Sequence, residues 1–347
     1  VETDGARQMA RYVTAWPSLL EDGFAAGAAA SVPLGPETRL TIVGVGGSAI
    51  GGELLADLSG AWEGPPIQLV RDARLPRLDR ERDLVIAVSY SGETAETLAA
   101  AEAARRAGQT LIAIASGGAL ARLAERGHSP LIRAPADCGP PRMALGFLYG
   151  AMLGLSGLAG REGKCLVRAA SQKLRGDLAA WRSSKAHGEP GRLAAWIGER
   201  LPIVYGTAPV GAVARRWRCE FNENAKRLAW DGRLPEAAHN EIVGWAEDPR
   251  RADAAVLLLR DPESEPAEVR ALAEAFAAAF SKDHLETCAA SGPDLLTRQL
   301  RLVLRGDLLS LDLARLSGVD PLPHEAITAL KQRVRRRLQK GVGGTSG

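Results

Sequence analysis

The chain has 347 residues, 24% of them charged and 46% hydrophobic, which is length for about two domains and the balance of a globular protein. A net charge of +3 gives no reason to expect nucleic acid as the main ligand. No uninterrupted apolar run approaches the ~18 residues of a membrane span, and the start VETDGARQMARYV lacks the basic-then-apolar order of a signal peptide. In chain order, a helical segment over about 5–30 precedes strands expected at 40–45, 66–70, 83–89, 110–115 and 130–134, with helices near 49–59, 93–107 and 119–126. Short β-branched runs alternating with amphipathic helices imply a parallel sheet covered on both faces, an α/β fold. Pro140 and Pro141 then open a long apolar helix, and 161–200 holds two helical patterns broken at Gly188, Pro190 and Gly191. The same grammar restarts with strand 202–207, helix 208–225, strand 254–260, helix 265–280 and strand 284–289, and closes with helices over 294–316 and 324–340. This predicts two doubly wound halves, 1–160 and 161–347.

Two turns of the first half have the chemistry of an anion site. LTIVGVGGS ends a strand in Gly44, Gly46, Gly47 and Ser48; LVIAVSYSGETAET ends one in Ser89, Ser91 and Thr94. Each is followed by a helix start, which presents backbone N–H groups to a bound anion, while hydroxyls add donors without bulk. The glycines do not complete a dinucleotide fingerprint, although Asp72 lies ~25 residues beyond them, near where a ribose-binding acid would stand. A nicotinamide site does not need the hydroxyl-rich second turn, which could also be an ordinary helix cap.

Residues 220–241, EFNENAKRLAWDGRLPEAAHNE, place Glu223 and His239 in Asn-containing contexts, flanked by Arg227, Trp230 and Pro235, with no strand pattern between them. A carboxylate to move a proton between carbons and a second acid/base group to open a sugar ring would suit a phosphosugar isomerase. Cys138, Cys165, Cys219 and Cys288 form no CxxC or Cys/His set and read as reduced, mostly core residues of a cytoplasmic protein. His128, His187 and His284 read as surface or structural, and the basic run 331–340 as a solvated helix face.

GVGGS, AVSYSGETAET, PPRMAL, EFNENAK, PEAAHNE and GVDPLPHEAITALK follow one another across residues 44–331. Together they resemble the bifunctional phosphoglucose/phosphomannose isomerase family of the sugar isomerase (SIS) domain superfamily. The resemblance implies two SIS domains, no metal, no organic cofactor, a phosphosugar substrate and a homodimer with sites at the interface. It implies that Ser48, Ser89, Ser91 and Thr94, with backbone at Gly46 and Gly47, bind the phosphate, and that Glu223 is the base. His239, from the partner subunit, would open the ring with Lys331, and Arg142 would stabilise the enediolate. Where the family commonly has a Thr, seven residues before Lys331, this chain has His324, which puts activity on the mannose epimer in question. A non-catalytic phosphosugar sensor, or an enzyme on another phosphosugar, would keep the same phosphate turns. The Glu223/His239 pair separates the first of these from an isomerase.

Overall fold

The computed structural model describes residues 3–342 other than 31, 33, 185 and 186. Helix α1 (Asp4–Ala29) starts at Thr3, whose Oγ1 accepts the Ala6 N–H at 3.0 Å. Strands β1 (Arg39–Val43), β2 (Ile67–Val70), β3 (Asp83–Val88), β4 (Thr110–Ala115) and β5 (Leu131–Arg133) form a parallel sheet of order β2-β1-β3-β4-β5. Helices α2 (Gly47–Ala61), α3 (Ala95–Arg106) and α4 (Gly118–Arg126) alternate with them. A 3-10 turn (Pro141–Ala144) leads into α5 (Leu145–Ser156), followed by α6 (Gly163–Ser183) and α7 (Gly188–Ile197).

The second sheet has order β7-β6-β8-β9 and is also parallel throughout, built from β6 (Leu201–Gly206), β7 (Trp230–Arg233), β8 (Ala254–Arg260) and β9 (Leu285–Ala289). With it come α8 (Gly211–Glu223), α9 (Glu241–Glu247), α10 (Ala267–Ala278), α11 (Leu295–Leu316) and α12 (Glu325–Val342). One expectation is corrected here: a strand, β7, does lie between Glu223 and His239. Of its residues WDGR only Trp230 is apolar, and it is exposed at the sheet edge, so they carry none of the apolar alternation that marks a strand. Short α9 follows it, also without a legible pattern. Of the four cysteines, Cys138 and Cys288 are buried as expected, whereas Cys165 is exposed.

Side-chain alternation along the strands sets the layers. Leu84, Ile86 and Val88 of β3 face a core shared with Ala255, Leu257 and Leu259 of β8, and helices α1, α2, α5, α6, α8 and α11 contribute to it. The opposite faces are covered separately: Val85 and Ala87 by α3 and α4, Val256 and Leu258 by α10. One continuous core therefore joins the two sheets through a helical middle layer. Within that layer α1 and α5 meet backbone to backbone. A Cβ on Gly23 or Gly27 would collide with the carbonyls of Phe147 or Ala151, and one on Gly150 or Gly154 with those of Leu20 or Phe24. No helix among the described residues is long and apolar enough to cross a membrane.

Candidate active site

In both sheets the strand order reverses beside the first strand, between β1 and β3 and between β6 and β8. Ligands of open α/β sheets bind at such switch points, outside the carboxyl ends of the strands. In the first sheet the turn after β1 enters α2 through Gly46, at φ +60, a left-handed value that favours glycine. Neither α2 nor α3 has a side-chain cap on its first turn, so the two N-termini present backbone N–H groups at the switch point. Ser48 is buried and its Oγ accepts the Tyr90 N–H at 3.2 Å, tying the first turn to the second. Ser89 Oγ and Thr94 Oγ1 are 3.0 Å apart, and Ser91 Oγ accepts the Glu93 N–H at 3.3 Å. The predicted phosphate residues are thus brought together on one edge of the first sheet.

The matching turns of the second sheet are filled by the protein's own carboxylates. Asp57 of α2 accepts the Ala212 N–H at the start of α8 at 2.6 Å. After β8, Glu265 accepts from Thr207 Oγ1 at 2.6 Å and pairs with Arg260 at 2.7 Å, while Asp261 pairs with Arg298 at 2.8 Å. An anion from solution has no equivalent place there.

Arg142 links the first switch point to the segment that carries Glu223. It is buried, and a Cβ on Gly47 would stand 3.0 Å from its Cα, so the phosphate turn rests on the Arg142 backbone. Its Nε donates to Asn224 Oδ1 at 2.8 Å, its Nη2 to the Pro321 carbonyl at 2.8 Å, and its Nη1 to Glu223 Oε2 at 3.3 Å. Glu223 is the last residue of α8 and keeps 29% of its side chain exposed, so one carboxylate meets both a fixed cation and solvent. The helix stops because Lys226 turns left-handed at φ +55, a costly conformation for a residue with a Cβ. Lys226 Nζ donates to the carbonyls of Glu223 and Pro323, each at 2.6 Å, fastening α8 to the segment before α12. Burial, with Arg142 nearby, lowers the Lys226 pKa. No role was expected for this lysine, and its place at the end of EFNENAK was the available signal.

His324 lies beside them. Its Nδ1 is 3.0 Å from the Leu322 carbonyl and 3.5 Å from Arg142 Nη1. A carbonyl only accepts, so the proton of this bond sits on Nδ1 and Nε2 is left for other partners. Glu223, Lys226 and His324 line a cleft of ≈ 600 Å³, walled by Asn222, Asp320 and Pro323. A second cavity, of ≈ 200 Å³ between α6, α7 and α11, shares no residue with this group.

Beneath Arg142 lies a buried network. Arg216 donates to both oxygens of Asp307, at 2.9 and 3.0 Å, and to the Arg142 carbonyl at 3.0 Å. It also pairs with Glu220 at 2.6 Å. Burial pushes the Glu220 carboxyl up to about 8; Arg216 opposes this, and Asp307 and Glu223 add to it. Burial raises the Asp307 pKa as well. The short Arg216–Glu220 distance favours an ionised pair, but the cost of burying the Glu220 charge beside buried Asp307, with half-buried Glu223 adding to it, prevails.

Two expected site residues stand apart. His239 is exposed after a short 3-10 turn, and Lys331 is exposed on α12. Among the described residues no hydrogen bond or ion pair joins either to Arg142 or Glu223. The excursion therefore does not by itself carry His239 to Glu223. Lys331 lies on α12, seven residues beyond His324, which precedes the helix. In the basic run, Lys331, Arg333, Arg336 and Arg337 are exposed; the side chains at 335 and 338–340 lie outside the described residues.

Comparison with known proteins agrees with this geometry. The SIS domain matches residues 37–134, and the bacterial phospho-glucose isomerase C-terminal SIS domain matches residues 186–334. The bifunctional phosphoglucose/phosphomannose isomerase of Thermoplasma volcanium is 30% identical over 311 residues, covering 88% of this chain and 94% of that protein. That of Thermoplasma acidophilum is 32% identical over 303 residues, covering 86% and 91%. The crystal structure of a hypothetical protein from Thermus thermophilus shares the fold, with a TM-score of 0.72 at 18% identity over 96% of this chain and 94% of that one. Two sheets joined by one helical layer, paired hydroxyl turns at the first switch point and full-length similarity lead to one assignment: the chain belongs to the bifunctional phosphoglucose/phosphomannose isomerase family.

Proposed function

We propose that this chain is an aldose–ketose isomerase that interconverts glucose 6-phosphate and fructose 6-phosphate, with mannose 6-phosphate as a second aldose, through a cis-enediol. The observation that carries the reading is the Glu223 carboxylate 3.3 Å from buried Arg142, whose backbone supports the phosphate turn. The phosphate would sit on the N-termini of α2 and α3 with Ser48, Ser89, Ser91 and Thr94 as hydroxyl donors, holding the reacting end toward Glu223. Glu223 takes the proton from C2 of the open-chain aldose. The bonding pair becomes the C1–C2 double bond and O1 collects the charge. The O2 proton passes to O1, and returning the first proton to C1 while O2 becomes the carbonyl gives the ketose. Arg142, a permanent cation, stands where that charge develops.

His239 would reach a neighbouring copy's site and open the ring with Lys331, which requires a homodimer; the scattered cysteines, read as reduced, would suit a cytoplasmic enzyme. The exposure of His239, and of apolar Leu228, Trp230 and Val243 in the same stretch of chain, supports this arrangement. His324 replaces a small hydroxyl residue with an imidazole bonded to Leu322, which narrows the room for the second epimer. The test is turnover of fructose 6-phosphate with glucose 6-phosphate and mannose 6-phosphate resolved as products. Both aldoses are expected, with glucose 6-phosphate in excess, and His324→Thr should raise the mannose share. No turnover alongside retained phosphosugar binding would refute the isomerase reading.

A further inference from the structure

We infer that Glu220, which touches no reacting atom, is a positioning residue for the isomerisation: through Asn224 it fixes the direction in which the Arg142 guanidinium faces Glu223. The inference rests on the isomerase reading above. Asn224 is buried, and its side-chain amide has two orientations of opposite effect. With Oδ1 toward Arg142 it accepts the Nε–H; turned over, it would set two N–H donors against a guanidinium. The observed orientation is enforced from the other side. Asn224 Nδ2 donates to Glu220 Oε2 and to Ser310 Oγ, both at 2.8 Å. Ser310 gives its own proton to the Asp307 carbonyl at 2.6 Å, so toward Asn224 it can only accept. Two acceptors thus hold the amide nitrogen away from Arg142.

Glu220 acts on Arg142 by a second route. Its other oxygen pairs with Arg216 Nη1, and Arg216 Nη2 donates to the Arg142 carbonyl, on the stretch of backbone against which Gly47 rests. Side chain and main chain of Arg142 are therefore held by one buried group, relative to both the phosphate turn and the base. A carboxylate that served only to brace its own helix would not need to be linked, through Asn224 and Arg216, to both the side chain and the main chain of the same arginine.

The test compares Glu220→Leu, which removes the acceptor at similar size, with Glu220→Gln, which keeps an oxygen for Asn224. Turnover of fructose 6-phosphate is measured together with inhibition by two sugar phosphates. One is a five-carbon aldonate phosphate, whose carboxylate stands where the enediolate charge would develop; the other is the uncharged-end alditol phosphate. In Glu220→Leu we expect kcat to fall by about 10-fold or more with KM within about 3-fold, and the aldonate alone to weaken by about 10-fold. Glu220→Gln should stay within about 3-fold of the parent in each measure. Folded Glu220→Leu with parental kcat and parental preference for the aldonate overturns the inference. If that variant does not fold, Ser310→Ala, which removes the other acceptor, should show the same split at about 3-fold, and its absence overturns the inference equally. A parent protein that fails to turn over fructose 6-phosphate, yet prefers the aldonate in a way Glu220→Leu abolishes, keeps the positioning role and sinks the isomerase reading. Parental turnover with every variant unaffected does the reverse.

Discussion

Glu220→Gln should change how the protein's stability depends on pH. The carboxyl is completely buried among Arg216 and Glu223 of its own helix, Asp307 of α11 and Arg142 of the 3-10 turn, and burial lifts its pKa from 4.5 to about 8. The sign follows from proton counting. Between those two values the folded chain holds a proton that the unfolded chain has released, so folding is favoured at the acid end and this advantage is lost as pH rises. At about 1.4 kcal/mol per pH unit the whole swing is on the order of 5 kcal/mol, complete once the pH exceeds the folded value. Glutamine has no proton to lose. It faces two donors, Asn224 Nδ2 and Arg216 Nη1, with a single oxygen, which costs about 1–3 kcal/mol at every pH. Groups away from this cluster titrate alike in both proteins and cancel in the difference, while Asp307 and Glu223 lose a neighbouring carboxyl in the variant, an effect of the same sign as the loss of Glu220 itself. Urea unfolding from pH 5 to pH 9 should therefore find the variant the weaker protein at pH 5, then gaining steadily on the parent up to about pH 8 and running parallel beyond. Two curves that stay parallel over the whole range would show that Glu220 is ionised in the folded state and that burial does not prevail over Arg216.

Three further outcomes follow from the geometry. Glu223→Gln removes the base but keeps a hydrogen-bonding group beside Arg142, so turnover should fall by about 10²-fold or more with KM little changed; steady-state kinetics near those of the parent would remove Glu223 from the proton transfer. Ser89→Ala combined with Ser91→Ala should weaken binding of any hexose 6-phosphate by about 10-fold or more in calorimetry, since hydrogen bonds to a charged group are lost, and unchanged affinity would refute the phosphate site. Gly150→Ala puts a Cβ into the Leu20 carbonyl where α1 and α5 touch, and should cost about 1–3 kcal/mol in chemical denaturation without altering the active site; an unchanged unfolding midpoint would mean that the helices can part freely.

The strands and hydroxyl turns were legible because their physics is local. LTIVG and LVIAVS are continuous apolar runs, as strands buried on both faces must be, and each ends in small residues before a helix pattern. β7 was hidden because an edge strand of Trp, Asp, Gly and Arg has no alternation and a single apolar residue, itself exposed. Lys226 was hidden because nothing in a lysine announces a left-handed backbone. The network under Arg142 was hidden for a third reason. Glu220, Arg216 and Asp307 are charged residues on helices, and at that spacing charge usually marks a solvated face. Here each of the three is 1% exposed or less. Only the pairing of α8 with α11, separated by about ninety residues of sequence, turns them into one buried cluster.

That cluster and the filled turns of the second sheet explain why two halves with the same strand grammar carry one site. In the first half the N-termini of α2 and α3 are left without side-chain caps, and the serines and threonine complete an anion cradle. In the second, Asp57 caps α8 from across the middle layer, and Asp261 and Glu265 sit after β8, each neutralised by an arginine. Since α8 receives its counter-charge from α2, its first turn is fixed to the helix that opens the phosphate cradle. Its last turn carries Glu223 and meets Arg142, which rests on that same cradle. A single helix thus sets the distance from the proposed phosphate turn to Glu223, the proposed base. Its two ends are bound to the first half by an internal carboxylate and by a buried guanidinium, which fixes the proposed base relative to the proposed phosphate turn.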